Sequence, residues 1–469
     1  MSTGTRSALP ELLLLILFSV APCSLSFARF NVTHVPGFDG ELPFRLETGY
    51  VTVNEETGAE FYYFFVESER NPSEDPLILW LTGGPGCSSI SGLAIDMGPL
   101  KFNVEEFDGK LPTMSANPYA WTKIANMIFV DWPIGSGFSY SKNASDYLTD
   151  DIAATKTMLE FLKKWFLDHP NFLLNTFYMG GDSYGGKMSV IVAQEIVEAN
   201  KRGQLPLINI KGYIAGNPST GEDVDSNTEV GRAYELAVVP EELYQQVLIN
   251  CEGEDYWSPT KVQCSKHLDT FHEFLDEINP DNVLDPHCSE DPPNLNENSM
   301  ARSLKDKSME QFNSSSDPVI TCITGELLSN YWVNNDLVRE ALHVKEGTVG
   351  RFHRCNFNIA FKYYTRSIPS SVPYHHSLLS KGYRAMIYNG DHDLKVSLWG
   401  TLTWIRSLNY TELKSWHSWK AGGQVAGYAI LFSNNLTFTT IKGGSHVAPN
   451  KKPMRCFFMF ERWSSYQAL

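Results

Sequence analysis

The sequence predicts an α/β protein: a largely parallel sheet covered by helices on both faces and interrupted by one inserted segment. Three observations carry that prediction. Short apolar segments such as Leu77–Leu81 and Met127–Val130 recur between stretches of helical periodicity, and a strand that is apolar throughout is covered on both faces. Gly181-Asp182-Ser183-Tyr184-Gly185 forms a G-x-S-x-G turn between an apolar strand and an apolar helix. The alternation lapses from about 219 to 324 and then resumes, as it does when one segment is inserted into a single sheet.

In chain order, Arg6 precedes the apolar run Leu12–Phe18, which is followed by the small residues Ala21, Cys23 and Ser24. A run this short reads as a secretory signal over 1–28, because a membrane span needs about 20 apolar residues. No later run reaches that length. Gly49–Val53 and Ala59–Phe65 flank Asn54-Glu55-Glu56-Thr57-Gly58, a hairpin by its turn chemistry. Leu77–Leu81 and Met127–Asp131 are buried strands. A helix follows from Asp150 to Asp168, with Ile152, Met158, Leu159, Leu162, Trp165 and Phe166 on one face and Thr149 or Asp150 as cap.

Next come the strand Thr176–Met179, Ser183 with its helix, and the strand Ile208–Ala215. Segment 29–218 is thus the first part of the core. Segment 219–324 holds helical fragments, four cysteines and a polar stretch at 291–317. It is expected to form a disulfide-stapled cap with a cleavable linker near 294–316. The core resumes over 325–469, with strands at Arg384–Tyr388 and Leu436–Ile441 and a closing helix over Pro453–Tyr466.

At 469 residues, 42% hydrophobic and 13% aromatic, the chain can bury a large core. Its net charge of -16 argues against nucleic acid or an anionic membrane as a partner. Asn31, Asn143, Asn313, Asn409 and Asn435 head N-x-[ST] sequons, in keeping with secretion. Once Cys23 leaves with the signal, the remaining cysteines are odd in number, so three bridges and one free thiol are expected.

The chemistry gathers at four glycine-rich loops. Ser183 stands at the strand-to-helix apex, where its hydroxyl is presented to a cleft. A serine is a weak nucleophile until an imidazole takes its proton, and a carboxylate orients that imidazole. His446 lies on the glycine loop Gly443-Gly444-Ser445-His446, and the acid is Asp391 or Asp393 in Gly390-Asp391-His392-Asp393. His392 reads as a turn residue. The order serine, acid, histidine is the one this kind of sheet uses. Thr82-Gly83-Gly84-Pro85-Gly86 follows a buried strand, so the N–H groups of Gly84 and Tyr184 are candidates for the oxyanion site. No metal-ligand spacing or phosphate-binding glycine loop occurs, so neither metal nor cofactor is expected.

Together Trp80-Leu81-Thr82-Gly83-Gly84-Pro85-Gly86-Cys87-Ser88-Ser89, Gly181-Asp182-Ser183-Tyr184-Gly185-Gly186, Gly390-Asp391-His392-Asp393 and Gly444-Ser445-His446-Val447-Ala448-Pro449 resemble the serine carboxypeptidase family. The resemblance implies an α/β-hydrolase fold with an inserted cap, Ser183 as nucleophile, His446 as base and Asp393 as the acid. It also implies the pairs Cys87–Cys355, Cys251–Cys264 and Cys288–Cys322, with Cys456 free, and a vacuolar or extracellular destination.

Peptidases of the family carry Trp-Leu-Asn-Gly-Gly-Pro-Gly, Gly-Glu-Ser-Tyr and a further glutamate before Gly-Pro. These groups and the tryptophan hold a peptide's C-terminal carboxylate. Here the matching substrate-binding positions are Trp80, Thr82, Gly83, Asp182 and Asp96. Thr82 and Asp182 together resemble the plant acyltransferase branch of the family. That branch moves an acyl group from a 1-O-acyl-β-glucose to an acceptor hydroxyl or amine. The alternative expectation is a carboxypeptidase acting on peptides.

Overall fold

The structure is a computed structural model and describes residues 29–287 and 324–469. The predicted signal, the linker at 294–316, Cys288, Cys322 and Asn313 lie outside the described residues.

An 11-stranded sheet organises the chain. In chain order its strands are β1 (Arg29–Val32), β2 (Leu46–Asn54), β3 (Ala59–Val66), β4 (Leu77–Leu81), β5 (Asn126–Val130), β6 (Phe177–Asp182), β7 (Ile210–Gly216), β8 (Arg384–Gly390), β9 (Glu412–Ala421), β10 (Gln424–Phe432) and β11 (Leu436–Ile441). Their spatial order is β1-β2-β3-β5-β4-β6-β7-β8-β11-β10-β9. The central run from β5 to β11 is parallel, and antiparallel strands flank it on both sides. The predicted hairpin is β2–β3, paired Leu46 to Val66 and Tyr50 to Tyr62.

Strand β4 shows why its sequence is apolar without alternation. Leu77, Leu79 and Leu81 enter the core on one face of the sheet, while Ile78 and Trp80 enter the core on the other. All five side chains are fully buried. Each contributes about 1.5–3 kcal/mol over an exposed position, so a polar residue on either face would unsettle the sheet's centre.

Helices α1 (Asp151–Asp168) and α2 (Ser183–Lys201) pack on the first of those faces. The Asp150 side chain caps α1 by accepting from Ala153 N–H at 2.8 Å. Ile152, predicted on the buried face, is instead 49% exposed at the first turn, and Phe161 takes the buried place. The inserted segment supplies α3 (Val224–Asn227), α4 (Glu229–Glu235), α5 (Glu241–Asn250) and α6 (Val262–Leu275) between β7 and β8. Helices α4 to α6 share a small separate core around Val230, Val247, Leu268 and Phe271, while Val224 of α3 packs against the main core. The Cys251–Cys264 disulfide staples that core. Helices α7 (Gly325–Val333), α8 (Leu398–Ser407) and α9 (Pro453–Ser464) complete the fold. Among the described residues no helix is long and apolar enough to cross a membrane.

Candidate active site

The carboxyl ends of four neighbouring parallel strands bring the candidate residues together. Register pairs Asp182 of β6 with Gly216 of β7, Gly216 with Tyr388 of β8, and Gly390 of β8 with Ile441 of β11. The residues that follow those ends are Ser183, Asn217, Asp391 to Asp393 and Gly443 to His446. Ligand sites of open α/β sheets lie outside this edge.

Ser183 is the first residue of α2 and holds φ 54°, a conformation unusual for a residue with a side chain. Such strain persists only where the surroundings impose it. The loop after β4 passes so close that a Cβ on Gly83 would lie 2.7 Å from Ser183 Cβ and 3.2 Å from its Oγ. Gly84 has φ +123°, which a side chain would oppose.

This loop is held from below. Asp131 accepts from Ser88 Oγ at 2.7 Å, Ser89 N–H at 2.8 Å and Phe138 N–H at 2.8 Å. The Cys87–Cys355 disulfide ties the loop to a segment 268 residues away in sequence. Tyr184 is anchored by its hydroxyl, which donates to the buried Asp151 at 2.6 Å, with Lys187 Nζ 3.7 Å from the same carboxylate. The main-chain N–H of Tyr184 lies in the first turn of α2, where amides have no partner within the helix and the dipole favours negative charge. Gly84 lies on the loop whose Gly83 passes against Ser183.

His446 and Asp393 are both buried, and His446 Nδ1–H donates to Asp393 Oδ2 at 2.8 Å. This leaves Nε2 free to act as a base. Burial pulls the imidazole pKa down, but the Asp393 charge and hydrogen bond outweigh it and raise the pKa above its ordinary value. Asp391 is engaged differently. Its Oδ1 accepts from Gly443 N–H at 2.6 Å and lies 2.7 Å from His392 Nδ1. It clamps the two loops together, which leaves Asp393 as the carboxylate bonded to the imidazole.

Two supports of this pair carry no warning in sequence. Asn217, at φ 40°, donates from Nδ2 to Asp393 Oδ2 at 2.6 Å and accepts from Gly390 N–H at 3.1 Å. Its only signal is its place after Gly216, in a turn closing a buried strand. The inserted segment also reaches both loops. His446 N–H donates to Asp281 O at 2.7 Å and Leu394 N–H donates to Pro280 O at 2.9 Å.

Beside Ser183 lies a buried acidic cluster. Trp80 Nε1–H donates to Asp182 Oδ1 at 3.0 Å, and Gly83 N–H reaches Asp182 Oδ2 at 3.4 Å. Burial raises the Asp182 pKa against the lowering pull of His446. Burial, and then the charge of Asp182, hold the Asp96 pKa well above the usual carboxylate range. Thr82 is buried and its Oγ1 has no hydrogen-bond partner. Among the described residues no group of three or more His, Cys, Asp or Glu could hold a metal ion.

The Asn31, Asn143, Asn409 and Asn435 side chains are exposed. Cys456 is free and buried, as expected.

The sheet, the elbow and the His–Asp pair define an α/β-hydrolase of the Ser-His-Asp type. The family model described as serine carboxypeptidase matches residues 36–466. "Serine carboxypeptidase-like 12" from Arabidopsis thaliana is 40% identical over 460 residues, covering 97% of this chain and 98% of that protein. "Serine carboxypeptidase-like 19" from the same plant is 41% identical over 448 residues, covering 93% and 94%. A prohormone-processing carboxypeptidase from Saccharomyces cerevisiae shares the fold, with TM-score 0.73, 21% identity and coverage of 93% and 96%. The chain belongs to the serine carboxypeptidase family.

Proposed function

We propose that the protein is an acyltransferase that moves an acyl group from a 1-O-acyl-β-glucose to an acceptor hydroxyl or amine through an acyl-serine. The observation that carries this reading is the buried cluster of Thr82, Asp96 and Asp182 beside Ser183. Where a peptidase of the family presents an amide and two glutamates to a C-terminal carboxylate, this cluster presents an unpartnered hydroxyl and two shorter acids. Losing one buried donor to a charged group costs about 1.5–3 kcal/mol, roughly one to two decades of affinity. Hydroxyls of a neutral sugar suit Thr82 Oγ1 and two carboxyls whose pKa burial raises.

In the first half-reaction His446 Nε2 takes the Ser183 Oγ proton as Oγ attacks the ester carbonyl. The Gly84 and Tyr184 N–H groups receive the oxyanion. As the C–O bond to glucose breaks, His446 returns the proton to the departing oxygen. In the second half, His446 deprotonates the acceptor, which attacks the acyl-serine and regenerates Ser183. Trp80 and Gly83 position Asp182. No cofactor enters either step.

The second reading, a carboxypeptidase, is favoured by Trp80, which the peptidases share and which here donates to the acid at Asp182. Purified protein incubated with an acylglucose and a panel of acceptors, and separately with a blocked dipeptide, decides between them. Acyl transfer with little trimming supports the first reading, and brisk trimming without transfer supports the second.

Passage through the secretory pathway to the vacuole or the exterior is part of the same proposal. The Cys87–Cys355 and Cys251–Cys264 disulfides and the exposed sequon asparagines support it. The division into a core at 29–218 and 325–469 and a cap at 219–324 is supported by the separate core of α4 to α6.

A further inference from the structure

The inserted segment holds a cavity of about 250 Å³ whose walls include Glu229, Tyr256, Trp257, Leu268, Phe271 and His272. Its composition is uneven: three aromatic residues and one carboxyl. Glu229 opens α4 and is half-buried. Burial, then the negative charges of Asp393 and Asp225, push its pKa up to about 8. No lysine or arginine is among the groups acting on it, and the other titratable groups lining the cavity are His272 and Tyr256, whose phenol burial pushes up. Arg232, one turn along α4, pairs with Glu235 at 2.8 Å and donates to Asp391 O, with its buried Nε left without a hydrogen-bond partner.

Glu229 shares this cavity with aromatic side chains, and the charges acting on it are those of other acids. Aromatic faces attract cations, and their attraction strengthens where water is excluded. The volume lies below the roughly 300–1,000 Å³ of pockets that take drug-sized ligands, so the occupant is small. We propose that this cavity binds a small organic ammonium ion, its charge on the Glu229 carboxylate and its alkyl groups against Tyr256, Trp257 and Phe271. The inference rests on the cavity and not on the acyl-transfer reading. Binding draws on the ionised carboxylate, so uptake expels a proton, and affinity falls about tenfold for each pH unit below the carboxyl's pKa.

The test is calorimetric titration of the whole protein with tetramethylammonium, which does not itself titrate, and with tert-butanol as an uncharged counterpart of similar size. Tetramethylammonium is expected to bind at least tenfold more tightly at pH 9 than at pH 6, with no matching heat from tert-butanol. Glu229→Gln is expected to weaken binding at least tenfold at pH 9 and to remove its pH dependence. Trp257, 79% exposed, supports little of the fold, so Trp257→Ala keeps the test open if the glutamine variant does not fold. It is expected to weaken binding several-fold. Equal binding of the two probes, unchanged binding in either folded variant, or no binding of tetramethylammonium at pH 9 would overturn the proposal.

Discussion

Asn217 Nδ2 lies 2.6 Å from Asp393 Oδ2, the same oxygen that accepts the Nδ1–H of His446 at 2.8 Å. The amide therefore draws on the carboxylate that sustains the imidazolium. Asn217→Ala leaves that oxygen with more charge for His446 and raises the imidazole pKa further. A hydrogen bond to a charged group is worth about 1.5–3 kcal/mol, so the acid limb of kcat/KM is expected to move up by about one pH unit. A pH–rate profile checks it. An unmoved limb with lower kcat would reduce Asn217 to a loop support.

On the proposed acyl-transfer reading, Thr82 sets the balance between sugar ester and peptide. Thr82→Asn, combined with Asp182→Glu, restores the amide and the longer acid of the peptidases. Trimming of a blocked dipeptide is expected to rise about ten- to a hundredfold, with a matching loss of acyl transfer. Parallel assays of both activities on the double variant check this.

Asp96 makes stability depend on pH. Its folded pKa is raised, so its contribution is fully present below the unfolded value near 3.8 and is lost as pH rises through the folded value. Asp96→Asn removes the cost of ionising a buried acid beside Asp182. The variant is expected to melt higher than the native protein at pH 8, with the gap closing towards pH 4. Thermal melts across that range check it, and a constant offset would contradict it.

The Cys87–Cys355 bridge closes a long loop and fixes the chain that carries Gly84. Replacing both cysteines by serine is expected to cost about 2–5 kcal/mol of stability and to lower kcat more than it raises KM. Melting and steady-state kinetics measure the two effects separately.

Much of the sheet could be read from sequence because its central strands meet apolar layers on both sides, as Leu79 and Trp80 show. Ser183 and His446 were legible because each sits in a glycine loop where little else explains it, whereas the acid was legible only as Asp391 or Asp393 until the family resemblance pointed to Asp393. The antiparallel pair β9–β10 was not. Along β9 the side chains from Glu412 to Ser418 are largely exposed and the register slips, so no alternation marks the strand. The grip of the inserted segment on the site was hidden for another reason. It runs through the carbonyl oxygens of Pro280 and Asp281, and any residue supplies a carbonyl.

The most direct test is the mass of the protein after exposure to a 1-O-acyl-β-glucose with no acceptor present. The prediction is a shift by one acyl group, mapped by peptide digestion to Ser183 and discharged when acceptor is added. Ser183→Ala should show neither adduct nor turnover. Transfer that survives that substitution, or an adduct on another residue, would contradict the mechanism.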